Sequence, residues 1–118
     1  MSAFQPSAVQ WIAIALASGV GGILRVAADL LLRDRGGAWT WGTLAVNLVG
    51  SFALGLVAGM IRDPGLRLVV GSGLLGGFTT FSAMSLQTVH LAQDGRWLLA
   101  IGYPLVSVLG GVLGCWAG

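Results

Sequence analysis

Residues 73–85 read Gly-Leu-Leu-Gly-Gly-Phe-Thr-Thr-Phe-Ser-Ala-Met-Ser, and this stretch decides the fold. It lies in a long apolar run, yet it carries three glycines, two threonines and two serines. Glycine costs about 1 kcal/mol relative to alanine in a helix interior, so Gly76-Gly77 predicts an interrupted helix. Inside a bilayer the freed backbone groups must be satisfied by protein, water or an ion. Such breaks tend to mark ion and substrate sites, so we expect the functional centre here.

The composition of the chain indicates which solvent surrounds it. Of 118 residues, 56% are hydrophobic and only 8% are charged, whereas roughly a quarter of the residues of a soluble domain are charged. The chain is therefore expected to lie in a membrane. Its basic residues are scattered, which argues against a nucleic-acid partner. Cys115 is the single cysteine, so neither an intrachain disulfide nor a metal-binding cysteine pair is available.

Four apolar runs are long enough to cross a bilayer, at about residues 8–32, 41–61, 66–91 and 97–116. The first run is too long for a signal-peptide core and lacks a basic segment before it, so we expect it to remain in the mature protein. Short polar connections leave no room for a soluble domain. The sequence predicts one domain over residues 1–118, an all-α membrane protein with four transmembrane helices, the third broken in mid-membrane.

Small residues recur at four-residue spacing on two of the predicted helices. This spacing lets helix backbones approach closely in lipid, and it predicts tight packing. Four short helices make a poor pore alone, so an oligomer is expected. The two stripes are Ser51, Gly55 and Gly59 on the second span, and Gly110, Gly114 and Gly118 on the fourth.

The arginines are nearly balanced across the membrane. Arg62 and Arg67 lie on one side, and Arg33, Arg35 and Arg96 lie on the other. The positive-inside rule therefore selects neither orientation. We hypothesise that the chain inserts in both orientations and forms an antiparallel dimer. A C-terminal reporter that found a single orientation would contradict this hypothesis.

Polar residues inside the membrane are functional candidates because burying them in lipid is costly. Asn47 lies near the middle of the second span, and its two amide N–H donors suit an anion; a helix–helix hydrogen bond is the alternative. A stripe of hydroxyls and aromatic rings follows one face of the third span by helical periodicity. Hydroxyl hydrogens and the positive edge of a phenyl ring both attract anions. The stripe comprises Phe78, Phe81, Ser82 and Ser85, and Tyr103 and Ser107 continue it on the fourth span.

The remaining ionisable side chains do not indicate an enzyme. Arg25 stands four residues before Asp29, so it forms either an intrahelical ion pair or a vestibule cation that attracts anions to a pore mouth. His90 lies near the end of its span and is expected at the interface. The sequence offers no Ser-His-acid set, carboxylate pair or metal cluster, and the chain is therefore predicted not to be an enzyme.

Three blocks of sequence resemble the small bacterial fluoride channels of the CrcB or Fluc family. They lie in register with the same four-span plan, and the resemblance covers essentially the whole chain. The blocks are Gly21-Gly22-Ile23-Leu24-Arg25, Gly42-Thr43-Leu44 with Val46-Asn47 and Gly50-Ser51-Phe52, and Gly76-Gly77-Phe78-Thr79-Thr80-Phe81-Ser82.

The resemblance implies a dual-topology antiparallel homodimer with two pores in the bacterial inner membrane. Fluoride would leave the cell passively through these pores. The resemblance also implies a structural Na⁺ at the dimer centre, held by the backbone carbonyls of Gly76 and Thr79. Arg25 would match the vestibule arginine. The pore residues that match are Asn47, Phe81, Ser82, Ser85, Tyr103 and Ser107.

Met84 departs from the family pattern, which has a second pore phenylalanine there. Methionine is apolar and adaptable but lacks a positive ring edge, so the ion path is expected to differ. Ala83 and Gly111 also stand where the family has hydroxyl residues. A heterodimer with a paired homologue is the alternative way to complete the pore.

Two other classes of membrane protein remain as alternatives to a fluoride channel. A small multidrug-type exporter needs a glutamate embedded in its first span, and the chain contains no glutamate. A non-transporting membrane assembly subunit would explain the small-residue faces but not the polar stripe.

Overall fold

A computed structural model describes residues 4–32 and 41–118. It contains four helical segments that are long and apolar enough to cross a membrane. Helix α1 spans Ala8–Leu32, α2 spans Trp41–Met60, the third segment spans Pro64–Gln93, and the fourth spans Trp97–Ala117. These bounds lie within two residues of the predicted ones, and the predicted all-helical class is confirmed. The predicted charged loop at 33–37 lies outside the described residues.

The third segment is not one continuous α-helix. It begins with α3 (Pro64–Arg67), continues as a π-helical segment (Leu68–Leu75) and then as the short α4 (Gly76–Phe78). After two residues of extended backbone, α5 runs over Phe81–Gln93; the fourth segment is α6. π-Helical turns are rare, and they are found frequently at functional sites.

The break in the third segment lies at Thr79-Thr80, three residues after the predicted position. Thr79 has φ −81° and ψ 155°, and Thr80 has φ −150° and ψ 116°, both extended. Gly76 is helical, with φ −63° and ψ −37°. The prediction of an interrupted span is right, but its placement at Gly76-Gly77 is wrong.

The glycines near the break serve close helix packing rather than interruption. A Cβ atom at Gly77 would collide with the backbone carbonyl of Ser18 on α1, and one at Gly21 would collide with the backbone carbonyl of Leu74. Ser18 Oγ also donates to the Gly73 carbonyl at 3.2 Å. Glycine at these positions therefore lets α1 lie directly against the third span.

The four spans form one packed bundle, in which α2 also contacts α1 and the π-helical segment. Helix α1 packs along the π-helical segment and α4, and α2 packs along α6, which also contacts α5. A Cβ at Gly55 would collide with the Cys115 carbonyl and one at Gly110 would crowd Leu48, whereas one at Gly59 would meet open space. The predicted small-residue packing thus involves Gly55 and Gly110 but not Gly59.

Candidate functional site

Asn47 of α2 holds the broken backbone of the third span by two hydrogen bonds. Its Oδ1 accepts from the Thr80 amide at 2.8 Å, and its Nδ2 donates to the Thr80 carbonyl at 3.0 Å. A Cβ at Gly50 would collide with the Thr79 methyl group, so the helix surface beside Asn47 must be bare. Asn47 therefore satisfies the backbone of the residue that leaves the helix.

Thr80 starts the next helix with its side chain. Thr80 Oγ1 accepts from the Ala83 amide at 3.1 Å, which is the N-cap interaction that satisfies a free donor at a helix start. Ser82 Oγ lies 3.2 Å from the same hydroxyl. The main chain and the side chain of Thr80 thus both stabilise the break.

The break leaves carbonyl oxygens without their usual helical donors. In a continuous helix the Thr80 amide would reach the Gly76 carbonyl and the Ala83 amide would reach the Thr79 carbonyl. Those two amides donate instead to Asn47 Oδ1 and to Thr80 Oγ1. Unwound carbonyls and the C-terminal ends of half-helices are suitable ligands for Na⁺, so the oxygens of extended Thr79 and of Gly76 in the last helical turn fit the ligand role that the resemblance implied.

Arg25 lies beside the same break. Its Nε is 3.4 Å from the Gly77 carbonyl, and its side chain is half-buried. Arg25 and Asp29 line a small cavity of about 70 Å³ that Thr43 and Gln87 also border. The arginine therefore places a positive charge against a third carbonyl near the break, leaving those of Gly76 and Thr79 to another partner.

An open groove of about 370 Å³ runs along the break between α2, α5 and α6. Four of the predicted pore residues, Asn47, Phe81, Met84 and Ser107, line it. Phe81 is 75% exposed on the protomer, whereas Met84 is only 6% exposed. The other lining residues are Ser51, Thr79, Thr80, Val108, Gly111, Val112 and Cys115.

Three predicted pore residues lie outside the groove lining. Ser82 pairs with the Thr80 hydroxyl, and Ser85 Oγ donates to the Phe81 carbonyl at 2.9 Å. Tyr103 is fully buried, and its Oη donates to Gln87 Oε1 at 2.6 Å. The structure therefore does not bring these three side chains to the surface that Asn47 and Phe81 share.

Comparison with known proteins assigns the chain to a family. A family model described as "CrcB-like protein, Camphor Resistance (CrcB)" matches residues 12–118. The chain belongs to the CrcB-like family. Proteins named "Fluoride-specific ion channel FluC" are similar to it over 89% of both chains: 44% identity in Novosphingobium aromaticivorans, 40% in Mesorhizobium japonicum and 43% in Gloeobacter violaceus. The predicted resemblance is confirmed.

Sequence reasoning missed a polar chain that crosses this CrcB-like protomer. Gln87 Nε2 donates to Thr43 Oγ1 at 2.9 Å, while its Oε1 receives the Tyr103 hydroxyl. Thr43 is 4% exposed and Tyr103 is fully buried, whereas Gln87 between them is half-buried. Gln87 is an uncharged polar residue in an apolar span, and the rule that selected Asn47 would have selected it too.

The donor set of this CrcB-like site is made of backbone and neutral groups. Among residues 4–32 and 41–118, no cluster of three or more His, Cys, Asp or Glu residues could hold a metal ion. The groups that the break offers to a cation are main-chain oxygens, and the groove offers an anion the amide of Asn47.

Proposed function

We propose that this protein is a fluoride-specific channel that lets fluoride leave the cell passively. It is a multi-pass protein of the bacterial inner membrane, and it is not an enzyme. Family membership and relatives named as fluoride-specific channels support this function. The observation that carries it is that Asn47 and Phe81, from separate family blocks, line one groove at the helix break. A small multidrug-type exporter and a non-transporting assembly subunit are not favoured.

The groove has the chemistry that a fluoride path requires. Fluoride is small and strongly hydrated, so a pore must replace its water with hydrogen-bond donors and still release it. Asn47 Nδ2 uses one hydrogen on Thr80, which leaves its second hydrogen for an ion. The edge of the exposed Phe81 ring carries partial positive charge without a fixed cation that would hold the ion. These neutral groups support passage rather than tight binding.

We further propose that two copies pair as an antiparallel, dual-topology homodimer with two pores. Gly76, Phe81 and Ser82 are exposed on the protomer although they lie within a membrane span. Lipid cannot satisfy a freed backbone carbonyl, so a second copy is the natural cover. Exposed tryptophans support insertion both ways, since those at 11 and 116 lie near one membrane face and those at 41 and 97 near the other. A heterodimer with a paired homologue is the competing assembly, and mass spectrometry of the purified complex separates the two.

A structural Na⁺ between the two copies completes the proposed assembly. The carbonyls of Gly76 and Thr79 would bind it, because the break deprives both of their helical donors. When bound, the ion would supply a positive charge that stabilises the carbonyl oxygens left without helical donors. We expect dimer stability in detergent to fall when Na⁺ is replaced by N-methylglucamine. An unchanged dimer would contradict this part of the proposal.

Fluoride efflux from liposomes tests the function. Purified protein in fluoride-loaded vesicles should release fluoride, measured with a fluoride electrode, and should release far less chloride from matched vesicles. Phe81→Ile should abolish efflux while leaving the dimer intact, because it removes the ring edge and keeps an apolar side chain. Phe52→Ile is the matched control, since Phe52 is exposed on α2 outside the groove lining. Unchanged efflux from the Phe81 variant contradicts the pore assignment, and no efflux from the native protein contradicts the function.

A further inference from the structure

Two of the four hydroxyl groups that line the groove donate their hydrogen to a backbone carbonyl. Ser107 Oγ donates to the Tyr103 carbonyl at 2.8 Å, and Thr79 Oγ1 donates to the Leu75 carbonyl at 3.1 Å. Both bonds reach the carbonyl four residues earlier, a common use of hydroxyls in helices. A hydroxyl has only one hydrogen, so these two groups present acceptor oxygen rather than a donor to the groove. An anion needs donors, and Ser107 and Thr79 offer none in this arrangement.

The third, Thr80 Oγ1, accepts from the Ala83 amide and pairs with Ser82 Oγ at 3.2 Å, so Ser51 is the groove-lining hydroxyl that makes no hydrogen bond. It lines the groove and is half-buried, one helical turn after Asn47 on α2. Its Oγ makes no hydrogen bond to any residue within 4–32 and 41–118. A hydroxyl left unpaired in an apolar environment costs free energy, so a polar occupant of the groove is favoured beside it.

Gly111 keeps the Ser51 hydroxyl accessible. A Cβ atom at Gly111 would stand 3.3 Å from Ser51 Oγ and 4.0 Å from Ser51 Cβ. The groove-lining residues of α6 include Ser107, Gly111 and Cys115 at four-residue spacing, so Gly111 is a gap in that row. Ser51 reaches this gap from the opposite helix. Its hydroxyl therefore stands where a side chain from α6 would otherwise lie.

We propose that the Ser51 hydroxyl is an anion-binding donor that continues the fluoride path beyond Asn47. Residues four apart on a helix have Cβ atoms about 5–6 Å apart, so the free amide hydrogen of Asn47 and the Ser51 hydroxyl form neighbouring positions. The path then leads toward the membrane face at which α6 ends. The ligand is a small, strongly hydrated monovalent anion. This inference rests on the proposed channel function, and it assigns to Ser51 a role that packing alone does not require.

The first experiment compares fluoride efflux from liposomes containing the native protein, Ser51→Ala and Thr88→Val. Ser51→Ala should slow efflux by about tenfold or more, because it removes a hydrogen bond to a charged ion. Thr88→Val is the matched control, since Thr88 Oγ1 donates to the Met84 carbonyl and the residue lies outside the groove lining. Its efflux should stay within about twofold of the native rate, as expected for loss of a local back-bond.

A second variant returns the hydroxyl from the facing helix. Ser51→Ala combined with Gly111→Ser places a hydroxyl from α6 in the space that Ser51 Oγ leaves, and efflux should recover at least partly. If Ser51→Ala alone fails to assemble, recovery in the double variant still supports the donor role, and absence of recovery overturns it. Equal efflux from the native protein and Ser51→Ala overturns the inference while the channel function stands. No efflux from the native protein overturns both.

Discussion

Asn47 makes two hydrogen bonds to the Thr80 backbone, and replacing Asn47 measures how much they stabilise the break. Asn47→Leu keeps the side-chain size and removes both hydrogen bonds, of 2.8 and 3.0 Å. Each intramolecular hydrogen bond contributes about 0.5–1.5 kcal/mol net, and a buried backbone group left unpaired costs about 1–3 kcal/mol. Thr80 is half-buried, so part of this penalty is relieved by the groove. We expect a loss of about 2–5 kcal/mol in the free energy of unfolding.

Unfolding in detergent by heat or denaturant measures this loss, and Ser82→Ala is the comparison. Ser82 pairs with the Thr80 side chain on the exposed surface, and its replacement should change stability by about 0.5 kcal/mol or less. If Asn47→Leu unfolds at the same denaturant concentration as the native protein, the two Asn47–Thr80 hydrogen bonds do not stabilise the break and the reasoning fails.

The variant Asn47→Asp distinguishes the effect of Asn47 on protein stability from its effect on fluoride conduction. Aspartate retains an acceptor for the Thr80 amide but loses the donor to the Thr80 carbonyl, so it should destabilise less than leucine. Its negative charge would lie in the groove and repel an anion. We therefore expect fluoride efflux to fall more in Asn47→Asp than its stability predicts. Native-like efflux from this variant would show that Asn47 does not face the ion.

Two further predictions concern packing away from the groove. Gly21→Ala should destabilise the protein by about 1–3 kcal/mol because the new Cβ collides with the Leu74 carbonyl. Gly19→Ala is the control: its Cβ meets open space, so the change should be neutral or stabilising by up to about 1 kcal/mol. Equal unfolding midpoints for the two variants would contradict the predicted difference. Tyr103→Phe should cost about 0.5–1.5 kcal/mol because it leaves the half-buried Gln87 Oε1 without the Tyr103 hydroxyl, and an unchanged midpoint would show that this bond contributes nothing.

The membrane spans were predictable because length and hydropathy are local properties. The position of the break was not, because it depends on a partner 33 residues away in sequence. Asn47 supplies the hydrogen bonds that let Thr79-Thr80 leave the helix. The penalty for glycine in a helix pointed to Gly76-Gly77, yet close contact with α1 offsets that penalty at Gly77. Tertiary packing against α1 therefore outweighs the low intrinsic helix propensity of glycine at this position.

Helical periodicity likewise placed the hydroxyls on one face without revealing which of them could donate. Ser85 and Ser107 lie on the predicted stripe, but both give their hydrogen to a carbonyl one turn earlier. Ser51 was assigned only to a packing stripe, and among the groove-lining hydroxyls of the described chain its Oγ is the one that makes no hydrogen bond. A sequence specifies where a hydroxyl lies on a helix, whereas the direction of its hydrogen depends on rotamer and neighbours.

Asn47 couples the two kinds of ion chemistry proposed for this protein. By taking the Thr80 amide it deprives the Gly76 carbonyl of its helical donor, which leaves an oxygen suited to a cation. The same side chain lines the groove with a free amide hydrogen suited to an anion. One side chain thus serves both chemistries, because it frees the Gly76 carbonyl oxygen and presents an amide hydrogen to the groove. A substitution at Asn47 must therefore act on both sites, whereas one at Ser51 should act on the anion alone.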